Sequence, residues 1–185
     1  MLKLYGGARS RASIVQWYLE ELGVAYEFVL LDMQAGEHLQ PAYLAINPVG
    51  KVPAIADGDF VLWESGAILL YLADRYAQPN LSPEQRATLA QWILYANATI
   101  SSEVANQATR EKALPRHMGM LNHLFERQPF VLGAQFSAAD VAIGALLAYI
   151  PLLLQVDLSG YPAIMAYMGQ MAERPAFQKT IGSRT

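Results

Sequence analysis

The chain has 185 residues, 54% of them hydrophobic, with a formal net charge of −3. That length holds one large domain or two small ones, and the charge supplies no basic surface for nucleic acid. The absence of cysteine excludes disulfides, cysteine-ligated metals and catalysis by a protein thiol.

In chain order, "MLKLY" reads as a short strand with Lys3 on its polar side, followed by Gly6, Gly7 and the loop "ARSRAS". A helix then runs through Leu22 and closes at Gly23. Ile14, Tyr18 and Leu22 fall at i, i+4 and i+8, and Val15 and Leu19 widen the stripe, so one face packs on a sheet. "AYEFVLLD" is the next strand, and strand–helix–strand in this spacing implies a right-handed parallel crossover. After a short helix, "PAIA" and "FVLW" pair as a hairpin around Asp57-Gly58-Asp59. A central strand tolerates no proline, so Pro53 marks either the first residue of its strand or a cis turn. Glu64 and Ser65 open the following helix, where unpaired backbone N–H groups point outward. The element order is βαβ followed by ββα, a thioredoxin-like sheet. A backbone edge beside a proline, next to a carboxylate and a hydroxyl on a helix start, suits a ligand carrying both a carboxylate and an amine.

Composition shifts at "AQPNLSPEQ", residues 77–85, where Pro79 and Asn80 are turn chemistry and Ser82-Pro83 reads as helix N-cap and first helical residue. Everything beyond is helical in pattern: "PEQRATLAQWILYANATISSEVANQ", a helix of roughly 109 to 128, the run from Ser137, and "YPAIMAYMGQMAERP". Pro129, Pro151, Pro162 and Pro175 mark helix ends or kinks. Ser137 and Asp140 form an N-cap and N3 pair, with Phe136 and Val141 at the staple positions, a structural signal without chemistry. The expected organisation is a mixed α/β domain at 1–76, a linker at 77–82 and an all-helical domain at 83–185. No N-terminal segment has a signal-peptide pattern, and the most apolar run, "AIGALLAYIPLLLQV", is too short to cross a membrane, so a cytoplasmic location is expected. His117 and His123 lie six apart on a helix with no carboxylate at a ligand spacing to either, so no metal site is expected.

Four segments, "LYGGARSRAS", "GEHLQPAYLAINPVGKVPAI", "WESGAILLYLADRY" and "FSAADVAIGALL", stand in an order and spacing that closely resembles the cytosolic glutathione transferases along nearly the whole chain. The segment that opens on "GEHLQ" is most similar to the serine-type phi class and its bacterial relatives, and the short length suits the compact cyanobacterial chi-type enzymes. The missing cysteine excludes the family's cysteine-nucleophile classes. The resemblance implies an enzyme in which the thiolate of glutathione, acting as co-substrate without a metal, attacks a hydrophobic electrophile, isothiocyanates among the candidates. It also implies a homodimer with no nucleic-acid or membrane partner. Alternatives are a non-catalytic binding or interaction module on the same fold, or a glutathione-dependent isomerase.

The same resemblance assigns residues. Ser10 matches the catalytic hydroxyl of the serine-type enzymes, its alternative being a helix cap. Tyr5 matches the hydroxyl of tyrosine-type members, its alternative being strand packing. Arg9 and Arg11 flank Ser10 and are either thiolate-stabilising charges or solvated loop residues; Ser13 is a solvent or packing residue. Val52 would pair its backbone with the cysteinyl part of glutathione as an added strand does, with Pro53 cis. Lys51 and His38 would meet the glycyl carboxylate, although Leu39 stands where phi-type enzymes often carry a lysine. Ser65, through its hydroxyl and N–H, and Glu64 would hold the γ-glutamyl carboxylate and amine. Trp92 and Tyr95 belong either to the helical core or to a contact with the acceptor or a partner subunit.

Overall fold

The structure, a computed structural model, describes residues 1–77 and 80–184. It divides into two compact units, Met1–Asn80 and Leu81–Ser183. Gln78 and Pro79 of the expected linker, and Thr185 at the end of the expected helical domain, lie outside the described residues.

The first unit is a four-stranded sheet in the order β2-β1-β3-β4. β1 (Leu2–Gly6) runs parallel to β2 (Tyr26–Leu30), while β3 (Ala54–Asp57) is antiparallel to both β1 and β4 (Phe60–Trp63). The crossover helix α1 (Ala12–Leu22) ends on a left-handed Gly23. It buries more than the stripe in the sequence: Trp17 is fully buried, whereas Leu22 is only partly covered. α1 and the later helix α3 (Ser65–Leu72) pack together, over the face that presents Leu2 and Leu4. The short helix α2 (Pro41–Leu44) carries Tyr43, whose ring meets Tyr5 at 5.8 Å, so Tyr5 points to the sheet face opposite Leu4. A β-carbon on Gly6 would stand 2.3 Å from the β-carbon of Ala12 and 3.0 Å from the Phe28 ring. Glycine there lets β1 approach the start of α1.

The second unit is helical. α4 (Pro83–Leu94) starts in a capping box formed by Ser82 and Gln85, with Pro83 in its first turn. It runs into a π-helical segment, Tyr95–Ile100, and then α5 (Ser101–Ala105), where one unbroken helical pattern stood in the sequence. Asn106 breaks the run and caps α6 (Gln107–Phe125), which carries Pro115 in its interior. The buried helix α7 (Ala138–Leu154) opens on the expected Ser137–Asp140 capping box and contains Pro151. α8 (Pro162–Ala172) and α9 (Pro175–Lys179) follow. Ile93, Ile100, Met118, Leu121, Ile143 and Ile164 form the centre of this unit. Among the described residues no helix is long and apolar enough to cross a membrane.

Candidate active site

All the expected glutathione contacts fall in the first unit, and sheet register brings most of them to one end. Tyr5 lies opposite Ala54, and Ala54 opposite Trp63. Continuing both antiparallel ladders by one residue sets Gly6 beside Pro53 and Pro53 beside Glu64. The loop leaving β1, the turn entering β3 and the start of α3 therefore meet.

The Val52–Pro53 bond is cis, and β3 begins at the next residue. The Lys51 carbonyl is held twice, by the Tyr43 hydroxyl at 2.6 Å and by Asn47 Nδ2 at 2.7 Å. Asn47 is buried and its Oδ1 accepts from the Val49 N–H at 3.0 Å. Among the described residues no hydrogen bond engages the N–H or C=O of half-buried Val52. A strand-like backbone edge is thus left for a ligand. Burial pushes the Tyr43 phenol up to about 12, against the hydrogen bonding with Asn47.

Glu64 takes φ 72° and ψ 116°, outside the regions open to side-chain-bearing residues, with its side chain exposed. Such a backbone costs about 1–3 kcal/mol and is characteristic of ligand clamps. Its consequence is local: the chain turns sharply out of β4, and Ser65 begins α3 almost fully buried, 4% exposed. The N–H groups of the first turn of α3 then open at the same sheet end as Pro53.

Ser10 is half-buried, and its hydroxyl is engaged in three bonds. It donates to the Gly7 carbonyl at 3.0 Å and accepts from the N–H groups of Gly7 at 3.1 Å and Ala12 at 3.3 Å. The hydroxyl thus ties the start of α1 to Gly7, in the loop that the sheet register sets beside Pro53. Donation to a thiolate requires release from Gly7, an exchange of a neutral acceptor for an ionised one, whose hydrogen bonds are about twice as strong. Buried Ser13 donates to the Ser10 carbonyl at 3.0 Å, a packing role. Arg9 and Arg11 are exposed.

His38 sits in a 3₁₀ turn, Glu37–Leu39, that packs on the same turn as Lys51. A β-carbon on Gly50, which has φ +66°, would lie 3.2 Å from the His38 carbonyl oxygen. His38 Nδ1 is buried with no hydrogen-bond partner among the described residues. Lys51 is exposed, as a flexible partner for a carboxylate would be. Tyr5 instead lines a cavity of about 480 Å³ with Tyr43, Leu31 and Ile46. None of the expected glutathione contacts lines that cavity.

Sequence reasoning missed Tyr43 and Asn47. The only signal was positional: an Asn opening "NPVGK" is turn chemistry whose side chain binds backbone nearby. It also missed Glu103. Contrary to the expectation that no carboxylate stands at a ligand spacing to His117 or His123, Glu126, three positions on, has its Oε2 3.2 Å from His123 Nδ1, and the sequence-distant Glu103 has its Oε2 2.9 Å from His117 Nε2. The Asn106 turn folds α5 back on α6 and brings Glu103 across fourteen positions, while Glu126 is one helical turn from His123. These are pairs: among the described residues no group of three or more such side chains could hold a metal ion.

Residues 1–74 match the family model for the glutathione S-transferase N-terminal domain, and residues 84–184 match that for its C-terminal domain. The chain belongs to the glutathione S-transferase family. Glutathione S-transferase 3 of Zea mays is 31% identical to this transferase over 98% of the chain and 94% of the relative. GstB of Escherichia coli K12 is also 31% identical, over 98% of both. Among solved structures, a theta-class transferase from Xanthomonas axonopodis pv. citri, crystallised with glutathione bound, superposes with a TM-score of 0.82. It is 27% identical, and the match covers 97% of this chain and 96% of that one. The transferase is accordingly an enzyme of glutathione transfer, with a thioredoxin-like first unit and a helical second.

Proposed function

We propose that this transferase is of the serine type, with Ser10 stabilising the thiolate of glutathione held at the sheet end of the first unit. The observation that carries the reading is the convergence there of the unbonded Val52 backbone beside a cis proline, the strained Glu64 and the buried Ser65. Val52 pairs with the cysteinyl backbone, Ser65 and Glu64 take the γ-glutamyl end, and Lys51 and the unpartnered His38 nitrogen take the glycyl carboxylate. A free thiol titrates near 8.5 and is about 3% ionised at neutral pH. Two units of depression raise that to roughly three quarters, about 2.7 kcal/mol of differential stabilisation and at most a ~25-fold gain in thiolate. Positioning of the two reactants supplies the remainder.

The acceptor we infer is a hydrophobic electrophile attacked by addition or displacement, isothiocyanates included, and the role is cytoplasmic detoxification, where glutathione stays reduced. A homodimer is supported by edge strand β4, which exposes Phe60, Val61 and Trp63. The deciding experiment is retention on immobilised glutathione followed by a panel of electrophiles assayed with glutathione. Retention with turnover of one or more supports the reading. Folded protein that neither binds nor turns over refutes the site.

A further inference from the structure

The cavity of the first unit uses none of the residues assigned to glutathione. One wall comes from the carboxyl ends of the parallel pair β1 and β2. Tyr5 stands opposite Val29 there, and the Leu31 N–H donates to the Gly6 carbonyl at 2.8 Å. The other wall comes from the 3₁₀ turn, α2 and the residues just after it, through Glu37, Gln40, Tyr43 and Ile46. The volume of about 480 Å³ is that of a small-molecule site, and the carboxyl ends of parallel strands are where open α/β sheets bind ligands.

Both walls are held in place. The Tyr43 ring is anchored by its hydroxyl on the Lys51 carbonyl and meets the Tyr5 ring at 5.8 Å, tilted by 54°. Glu37 is anchored by Oε2, which accepts the Asp32 N–H at 2.7 Å. Its Oε1, the Gln40 side-chain amide and the Tyr5 hydroxyl make no hydrogen bond among the described residues. A mere packing gap is lined by apolar groups, whereas this cavity carries open hydrogen-bonding groups. Glu37 and Gln40 are exposed and Tyr43 is buried, so the polar end is the mouth and the apolar end the floor. Among the described residues no lysine, arginine or histidine lines it, so an anion would face Glu37 without a counter-charge. Tyrosine ring faces and a carboxylate both attract a cation.

We propose that this cavity is a second ligand site of the first unit, one that takes a small organic amine. The ammonium meets Glu37 Oε1 and the Gln40 side-chain oxygen at the mouth, and the apolar body lies inward against Tyr5, Tyr43, Leu31 and Ile46. The site goes beyond the glutathione reading and does not depend on it. The two are neighbours, because Tyr43 also holds the carbonyl that precedes Val52. They use different residues, so amine and glutathione bind together rather than in competition.

The probe is 2-phenylethylamine, compared by NMR titration with 3-phenylpropanoate, an anion of similar size. Wild type should bind the amine saturably, with Kd at or below ~1 mM, and the anion at least ~10-fold more weakly. Glu37→Gln keeps an oxygen for the Asp32 N–H, so the turn stands. It should reduce the preference for the amine at least ~3-fold, a modest figure because the carboxylate is exposed. Glu111→Gln removes the same charge from an exposed position on α6 and should leave the preference unchanged. Ala42→Trp fills the cavity from an exposed position on α2 and should abolish saturable amine binding, with circular dichroism showing the fold intact. No saturable binding by wild type, an equal preference in Glu37→Gln and wild type, or a Kd that rises in proportion to added glutathione overturns the proposal. Loss of glutathione retention with amine binding intact counts against the transferase reading alone.

Discussion

The Tyr43 hydroxyl donates to the Lys51 carbonyl oxygen at 2.6 Å, tying helix α2 to the turn that presents Val52 and the cis Pro53. Asn47 shares that oxygen and holds Val49 as well. Asn47→Ala should therefore destabilise more than Tyr43→Phe, about 2 against about 1 kcal/mol, since it leaves two backbone groups short. Tyr43 also sets an alkaline limit. Its folded pKa near 12 exceeds the ordinary value of 10, so between those values the folded state keeps a proton that the unfolded state has lost. Stability from this group is complete below pH 10 and falls as pH rises toward 12. Urea unfolding at pH 8 and pH 11 should show a smaller loss in Tyr43→Phe than in wild type.

Ser65→Ala should weaken glutathione binding. A hydrogen bond to a carboxylate is worth about 1.5–3 kcal/mol, or roughly tenfold to a hundredfold in Kd. Calorimetric titration decides this, and an unchanged Kd removes Ser65 from the site.

Glu64→Gly separates stability from binding. Glycine relieves about 1–3 kcal/mol of backbone strain while losing about 0.5–1 kcal/mol to chain entropy. Unfolding free energy should hold or rise slightly, and glutathione affinity should drop with the carboxylate gone. A clear loss of stability would show that the Glu64 side chain, rather than its backbone geometry, supports the fold.

Ser10→Ala should raise the pKa of bound glutathione and reduce turnover at neutral pH, with little change in affinity because the carboxylate contacts lie elsewhere. The deficit should shrink at alkaline pH, where the thiol ionises unaided. Ultraviolet difference absorbance of the bound thiolate against pH, in Ser10→Ala and Tyr5→Phe, discriminates the two hydroxyls. Movement with Tyr5→Phe alone would transfer the role to Tyr5. If neither moves it, the arginines or the helix start carry it.

Asp140→Ala should destabilise by about 3 kcal/mol, more than the ~1 kcal/mol of an ordinary cap. The carboxylate is fully buried and takes the Val131 and Ser137 N–H groups and the Ser137 and Tyr167 hydroxyls. Its removal strands the buried Val131 N–H of a loop, while the Tyr167 hydroxyl of α8 keeps only the Asp140 carbonyl at 3.3 Å. Burial pushes the carboxyl up, against those same hydrogen bonds. Thermal unfolding measures the loss, and affinity for glutathione in the folded fraction should be unchanged.

Local chemistry made much of this protein readable from its residues. The capping boxes at Ser82 and Ser137, the turn around Gly58 and the end of α1 at Gly23 depend on neighbours within a few positions. The family motifs placed Ser10, Pro53, Glu64 and Ser65 on the correct loop, turn and helix start. Tertiary structure decided what those signals could not reach. Strand register, a long-range property, set Gly6, Pro53 and Glu64 side by side. The Tyr43–Lys51 clamp spans a turn, and the Glu103–His117 pair requires α5 to fold back on α6. Strain at Glu64 is likewise invisible in a residue name, because it is a property of the backbone conformation at the junction of β4 and α3. Contacts between positions far apart in sequence leave no periodic trace, so only the fold discloses them.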